Sequence, residues 1–486
     1  MAKHKHNSKR PQARHKESKA SRHDKRTRLK TPNPDRRDTT QAKFPLVGSL
    51  AAAVASLTAV LDVRIAFRLA IIVSGMFLAD DRRTASAWFA AAGVVDDWDR
   101  FYDCLISIGR NSDALATAVL KLVVSKFDPG PNGRFVLAAD DSPTKRYGRQ
   151  VEGAGVHHHP TPGPADGEWL YGHNWVTLTL LATHSLWGTI ALALRSSLYV
   201  RAIDVPKLAE QYGWDFRTKH ALAVELVLWF VDTIRSLGMT CAVWTVVDGA
   251  YAARPFLDPL LEREIVVVSR LRKDAALFDL PPERQPGQRG RPRIYGDKLS
   301  LAKRAGHPGG WQSITYQSRG GEVTRSYKTF LAKSRLVDGV IRVVIVRFED
   351  GGWIAYFCTD SEAGVRDILE VAAARWAIEE HFHDVKEVWG AGKQQVRNVW
   401  SNIGCWNLNQ WMYTLVELCS WDEEKSELSD RRDRPWDNAE RRPSHADRRR
   451  RIAREMLREA IPTTQLPASQ TEKFRAYAEA LCALCV

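Results

Sequence analysis

Three acidic residues stand where a rigid framework could bring them to one place. Phe135-Val136-Leu137-Ala138-Ala139 is an apolar run without alternation, the pattern of a buried central strand, and it ends in Asp140-Asp141. Thr240 to Val247 is a second such run and ends in Asp248-Gly249-Ala250. The third acid lies in Arg375-Trp376-Ala377-Ile378-Glu379-Glu380-His381-Phe382-His383-Asp384-Val385-Lys386. This stretch belongs to a Pro-free segment, Glu362 to Trp389, whose apolar residues fall largely three and four apart, so it reads as one long amphipathic helix. At about 100° per residue, Arg375, Glu379 and Lys386 share a face, while Glu380 turns toward Asp384 and Glu387.

Strand ends hold carboxylates rigidly, and a sheet joins strands distant in sequence. Three converging carboxylates without a Cys or a spaced His pair favour Mg²⁺ or Mn²⁺ over Zn²⁺. Two such ions would activate a water or a 3′-hydroxyl and stabilise the leaving oxygen of a phosphodiester. The ordinary alternative for the helix is an ion-paired, solvated face.

The elements that must position these residues follow from the pattern of the chain. Its 486 residues are 44% hydrophobic and 26% charged, with 17 Trp, a globular composition large enough for two or three domains. Residues 1–43 carry 15 Lys and Arg against 4 Asp and Glu, a net +11 of the total +14. They form a basic arm expected to be disordered when free and suited to a polyanion. Residues 44–128 are Ala-, Leu- and aromatic-rich and predict three to five helices, a candidate DNA-binding domain. Residues 129–420 predict an α/β domain with a β-rich insertion at about 270–358. Strands are expected over Gly148 to Val156 and Trp175 to Leu180, helix over most of Pro206 to Leu237 with an interruption near Gly213, and a hairpin of Ile341–Phe348 with Trp353–Phe357. Residues 421–486 are densely charged, with some helix and much exposure.

The N-terminus has no apolar core of a signal peptide, and Leu46 to Leu61 is short for a membrane span. The seven cysteines lack framework spacing and point to free thiols, and Cys482 and Cys485 are a lone CxxC.

In their order, the motifs Val136 to Pro143, Val246 to Tyr251, and Arg375 to Glu379 followed by Lys386 resemble the acidic triad of bacterial insertion-sequence DDE transposases of the broad IS4-like or IS701-like group. The separations of 108 and 131 residues agree with that layout. The resemblance covers roughly residues 130–420. It implies a ribonuclease H-like mixed sheet with flanking helices, a β-rich insertion between the second Asp and the Glu, and an N-terminal all-helical domain. It implies Asp140, Asp248 and Glu379 as ligands of two Mg²⁺ or Mn²⁺ ions, with Asp141 in reserve on the opposite face of the strand. The family's last helix carries a Tyr, Arg, Glu, Lys signature; Arg375, Glu379 and Lys386 match it, and Ala372 stands where the Tyr is expected.

Arg375 and Lys386 would hold phosphates, with Lys386 orienting Glu379. Lys145 and Arg146 are further candidates for backbone contact. Arg289-Gly290-Arg291-Pro292, with Arg293, matches the core of a minor-groove hook. Trp400, Trp406 and Trp411 read as core more readily than as stacking platforms, and His157 to His159 and His173 as structural rather than metal-binding. The expected activity is cleavage of element-end DNA and transfer of the freed 3′-hydroxyl to target DNA. The expected partners are double-stranded DNA and further copies of the chain in a dimer or larger synaptic complex, without a membrane, in a bacterial cytoplasm and associated with the nucleoid. A metal-dependent nuclease without strand transfer, and a catalytically inactive DNA-binding derivative, remain alternatives.

Overall fold

The computed structural model describes residues 45–129, 133–159, 167–285, 289–319, 321–428, 436, 438 and 441–460. The basic arm and the Cys482/Cys485 pair lie outside the described residues.

Among the described residues, five helices come first: α1 Gly48–Thr58, α2 Val63–Leu78, α3 Ala85–Ala91, α4 Trp98–Arg110 and α5 Ser112–Lys126. Four strands follow: β1 Arg134–Lys145, β2 Gly155–His158, β3 Trp169–His184 and β4 Gly188–Tyr199. Next come α6 Val205–Tyr212, α7 Lys219–Ser236, β5 Ala242–Val247, α8 Arg254–Leu261 and β6 Val266–Leu271. The described residues after β6 contain β7 Leu277–Phe278, β8 Lys298–Leu299, α9 Leu301–Gly306, β9 Gln312–Ser318, β10 Gly321–Ser334, β11 Val340–Arg347 and β12 Trp353–Cys358. The chain then returns to helix with α10 Val365–Ala374, α11 Trp376–Glu387, α12 Val399–Ser420, α13 Lys425–Leu428 and α14 His445–Ala460.

The strands form one mixed sheet in the order β2-β3-β1-β5-β6-β12-β11-β10-β7-β8, with β4 beside β3 and β9 beside β10. The β1, β5 and β6 strands are parallel, and β3 and β4 are antiparallel to their neighbours. Helices flank this part of the sheet, an arrangement consistent with a ribonuclease H-like fold. Ring contacts identify the layers: Phe135 of β1 meets Phe230 of α7 at 5.6 Å, and Trp175 of β3 stacks on Trp406 of α12 at 5.0 Å. Period-two alternation follows from these contacts, with odd residues of β1 facing α7 and even residues facing the α11–α12 side. Strands β7 to β12 join the same sheet through β12, which pairs with β6 from Ala355↔Leu271 to Cys358↔Val268.

The N-terminal helices lie directly on this body. The α4 and α12 helices cross so closely that a Cβ on Gly404 would stand 2.4 Å from the Leu105 carbonyl oxygen, and one on Gly109 1.9 Å from that of Trp400. Only glycine permits that approach.

The elements differ from expectation in four places. The Gly148 to Val156 strand is mostly a turn, because Glu152 is occupied elsewhere: its carboxylate accepts from the Tyr212 hydroxyl and the Val399 N–H at the start of α12. β3 is longer than predicted, and its partner β4 was not predicted. The long helix is divided at Arg375 into α10 and α11. The charged C-terminal stretch is not simply exposed, since α14 buries Arg448, Arg449 and Arg454. Arg449 donates to the carbonyls of Met76 and Phe77 in the last turn of α2 and of Ala79 just after it, where a helix end leaves carbonyls without intrahelical partners.

Candidate active site

β1 does not stop at its acids. It runs on to Lys145 against β3, while its parallel pairing with β5 ends at Ala139↔Val247. Asp140 and Asp248 are therefore the next residues on two adjacent strands, at the point where their ladder opens. Asp248 opens the turn after β5: its carboxylate accepts from the Ala250 N–H at 2.8 Å, and its carbonyl accepts from the Ser269 hydroxyl of β6 at 2.9 Å. Burial, with repulsion from Asp248 and Asp141, pushes the Asp140 carboxyl up to about 7, against a hydrogen bond from the Asp141 N–H and the attraction of Arg375.

Alternation sends Asp140 and Asp141 to opposite faces. On the α7 face, Asp141 pairs with Lys219 at 2.6 Å and accepts from the Tyr251 hydroxyl at 3.1 Å. Both oxygens are thus engaged by protein groups. On the other face, the Arg375 guanidinium lies between Asp140 (3.6 Å) and Glu379 (2.6 Å), so those carboxylates are separated by the span of one guanidinium group. The adjacent Glu380 turns to Arg442 instead, at 3.0 Å. Helical spacing separated the two glutamates in this sense. Glu379 takes its ion pair from Arg375 one turn earlier, so the orienting role expected of Lys386 falls to Arg375. Burial pushes the half-buried Lys386 ammonium down to about 8.

Arg146 corrects a prediction. It points inward, with Nε donating to His173 Nδ1 at 3.2 Å, one terminal nitrogen to Asn402 Oδ1 at 2.9 Å and the other to the Gly392 carbonyl. It is 8% exposed and braces α12 against β1 rather than offering itself to a phosphate. Lys145, one residue earlier, is exposed, as are Arg289, Arg291 and Arg293 on their loop. Burial holds His157 and His173 neutral, at about 4 and 3. Trp406 and Trp411 are enclosed in the core.

An open cleft of about 970 Å³ begins at Asp248 and Arg375 and runs between the β6 end, the β9–β10 hairpin and α10. Arg270, Arg272, Lys273, Arg319 and Arg325 line it, with Tyr316, Phe348, Tyr356 and Trp376 among them. Arg319 lies 4.2 Å over the Trp376 ring. Cations alternating with aromatic faces suit a sugar-phosphate backbone and its bases. Sequence reading missed this set because it comes from four separate segments. It also missed Lys219 and Tyr251; only Tyr251, three residues after Asp248, lay within a noted motif.

The family described as DDE superfamily endonuclease matches residues 58–329, more than half of the chain. The chain belongs to the DDE superfamily of endonucleases. The match in this DDE endonuclease includes Asp140 and Asp248 and ends before Glu379. No curated protein matches the chain. Among solved structures it is similar to that of the piggyBac transposase synaptic complex with hairpin DNA, determined by cryo-electron microscopy. The identity is 8% and the TM-score 0.39, covering 91% of this chain and 79% of that one.

DDE-superfamily nucleases are generally metal-dependent, and the donor chemistry here fits a hard divalent cation. Asp140 and Asp248 offer oxygen ligands whose mutual repulsion such an ion would relieve. Glu379 is held one guanidinium away, and among the described residues no group of three His, Cys, Asp or Glu side chains could hold a metal ion. Among them, too, no helix is long and apolar enough to cross a membrane.

Proposed function

We propose that this DDE endonuclease is a bacterial insertion-sequence transposase of the IS4-like or IS701-like group, with Asp140, Asp248 and Glu379 as its catalytic acids. The observation that carries this reading is the placement of Asp140 and Asp248 at adjacent openings of the β1–β5 ladder, with the Asp140 carboxyl displaced upward by burial and by its acidic neighbours. Asp140 and Asp248 would hold Mg²⁺ or Mn²⁺, completed by Glu379. Bound ions would supply the activated water or 3′-hydroxyl and stabilise the leaving oxygen.

The chain's own groups do the rest. Arg375 stands beside the acids and lines the cleft, within reach of a phosphate next to the scissile bond. Arg270, Arg272, Lys273 and Arg319 offset the charge of the strand, so substrate binding should weaken steeply with salt. Tyr251 and Lys219 fix Asp141, and through its backbone N–H they fix the neighbouring Asp140. The exposed Lys145, Arg289, Arg291 and Arg293 and the basic arm would extend the DNA contact, and a dimer or larger synaptic complex would hold two element ends. A catalytically inactive DNA-binding derivative draws support from one observation, the separation of Glu379 from Asp140 by Arg375.

The test is nicking and strand joining on a plasmid bearing the flanks of the chain's own gene, with Mg²⁺ or Mn²⁺. Asp140→Asn, Asp248→Asn and Glu379→Gln should each reduce cleavage by roughly 1,000-fold or more while leaving DNA binding intact. Activity in any of the three near the parent level would remove that residue from the site. Joining of a pre-cut 3′ end separates a transposase from a nuclease that only cuts.

A further inference from the structure

Resting on that reading of the acids, we infer that Arg375 is a tethered cation that competes with the divalent ion for Asp140 and Glu379, so that metal binding displaces its guanidinium toward the cleft. One guanidinium contacts both carboxylates, 3.6 Å from Asp140 and 2.6 Å from Glu379. Its planar array of donors suits two acceptors at once. With it there, among the described residues no group of three acids is assembled for a metal.

Arg375 is also placed to leave. It occupies the junction between α10 and α11 with helical backbone angles, so side-chain rotation alone can carry the charge. It already lines the cleft that holds Arg270, Arg319 and Trp376. Its partner Glu379 has a side chain 36% exposed, so water can solvate that carboxylate when the guanidinium leaves. The displaced guanidinium would meet substrate phosphate in the cleft, which exchanges one anionic partner for another. Metal and DNA would then favour each other's binding, because the metal frees Arg375 for the phosphate and the phosphate holds Arg375 off the acids that the metal needs.

The experiment is calorimetric titration of Mn²⁺ into the full-length protein without DNA. Arg375→Gln should bind Mn²⁺ about 10-fold more tightly than the parent, a change of roughly 1.4 kcal/mol, and Asp140→Asn should lose the site. Equal or weaker Mn²⁺ binding by a folded Arg375→Gln protein overturns the competition. Retention of full Mn²⁺ affinity by Asp140→Asn overturns the assignment of the acids instead. A second measurement follows Arg375 itself in the parent protein. In protein labelled with ¹⁵N-arginine, the side-chain Nε resonance of Arg375, assigned by its loss in Arg375→Lys, should shift on saturation with Mg²⁺. A resonance that stays in place at saturation rejects the displacement.

Discussion

Asp140 and Glu417 are both carboxylates raised by desolvation, one partly exposed where the β1–β5 ladder opens and the other fully enclosed in the helical layer, and their neighbours push them in opposite directions. At Asp140, burial raises the carboxyl and the nearby Asp248 and Asp141 add to it, while Arg375, at 3.6 Å, offsets only part. At Glu417, burial again raises the carboxyl and is the largest single influence, yet the net shift is downward. Arg448 contacts it at 2.9 Å and His445 Nδ1 at 2.6 Å. The Trp389 indole N–H donates to His445 Nε2 at 2.7 Å, so the imidazole carries its proton on Nδ1 and donates it to Glu417. Desolvation alone therefore does not distinguish a structural acid from a chemical one. The sign of the surrounding charge does: an acid whose neighbours are acids is costly to the fold and suited to a cation.

The comparison breaks most readily at Glu417. Glu417→Gln leaves Arg448 buried without its counter-charge and should cost about 3–5 kcal/mol in denaturant unfolding near pH 7. The parent's Glu417 contribution is present above the ordinary carboxylate range and is lost as pH falls through its lowered folded value. Asp140→Asn should have the opposite sign. A carboxyl raised from 3.8 to about 7 is protonated at no cost in acid, and its burden on the fold grows as pH rises through that interval. The amide should thus stabilise the protein by about 2–4 kcal/mol at pH 8 and by little at pH 4, measured as unfolding free energy across pH. The same sign for both substitutions at pH 8 would end the distinction drawn between them. The smallest effect sharpens it: Tyr251→Phe removes the hydroxyl that Asp141 accepts and should cost about 1–2 kcal/mol by thermal unfolding.

Asp140 and Asp248 were legible because an unbroken apolar run ending in an acid describes a buried strand with a charge at its mouth. Glu379 could be told from Glu380 by helical spacing, and the structure gives those two residues different partners, Arg375 and Arg442. Lys145 and Arg146 looked alike in sequence because β1 continues past its apolar run, and alternation then sends one outward and the other onto His173 and Asn402. The continuation of the sheet from β6 into β12 was hidden as well, since strand pairing between segments about 90 residues apart leaves no local trace.

The sequence by itself determined which residues could carry charge-dependent chemistry and on which elements they ride, because periodicity and strand endings are local properties of the chain. Only the tertiary structure decided what each charge meets. It placed a guanidinium between Asp140 and Glu379, gave Lys219 to Asp141, and buried the arginines of α14 against Glu417 and the carbonyls of α2. The physical reason is that the energy of a charge depends on the desolvation and counter-charges around it, and those are assembled from segments up to 373 residues apart.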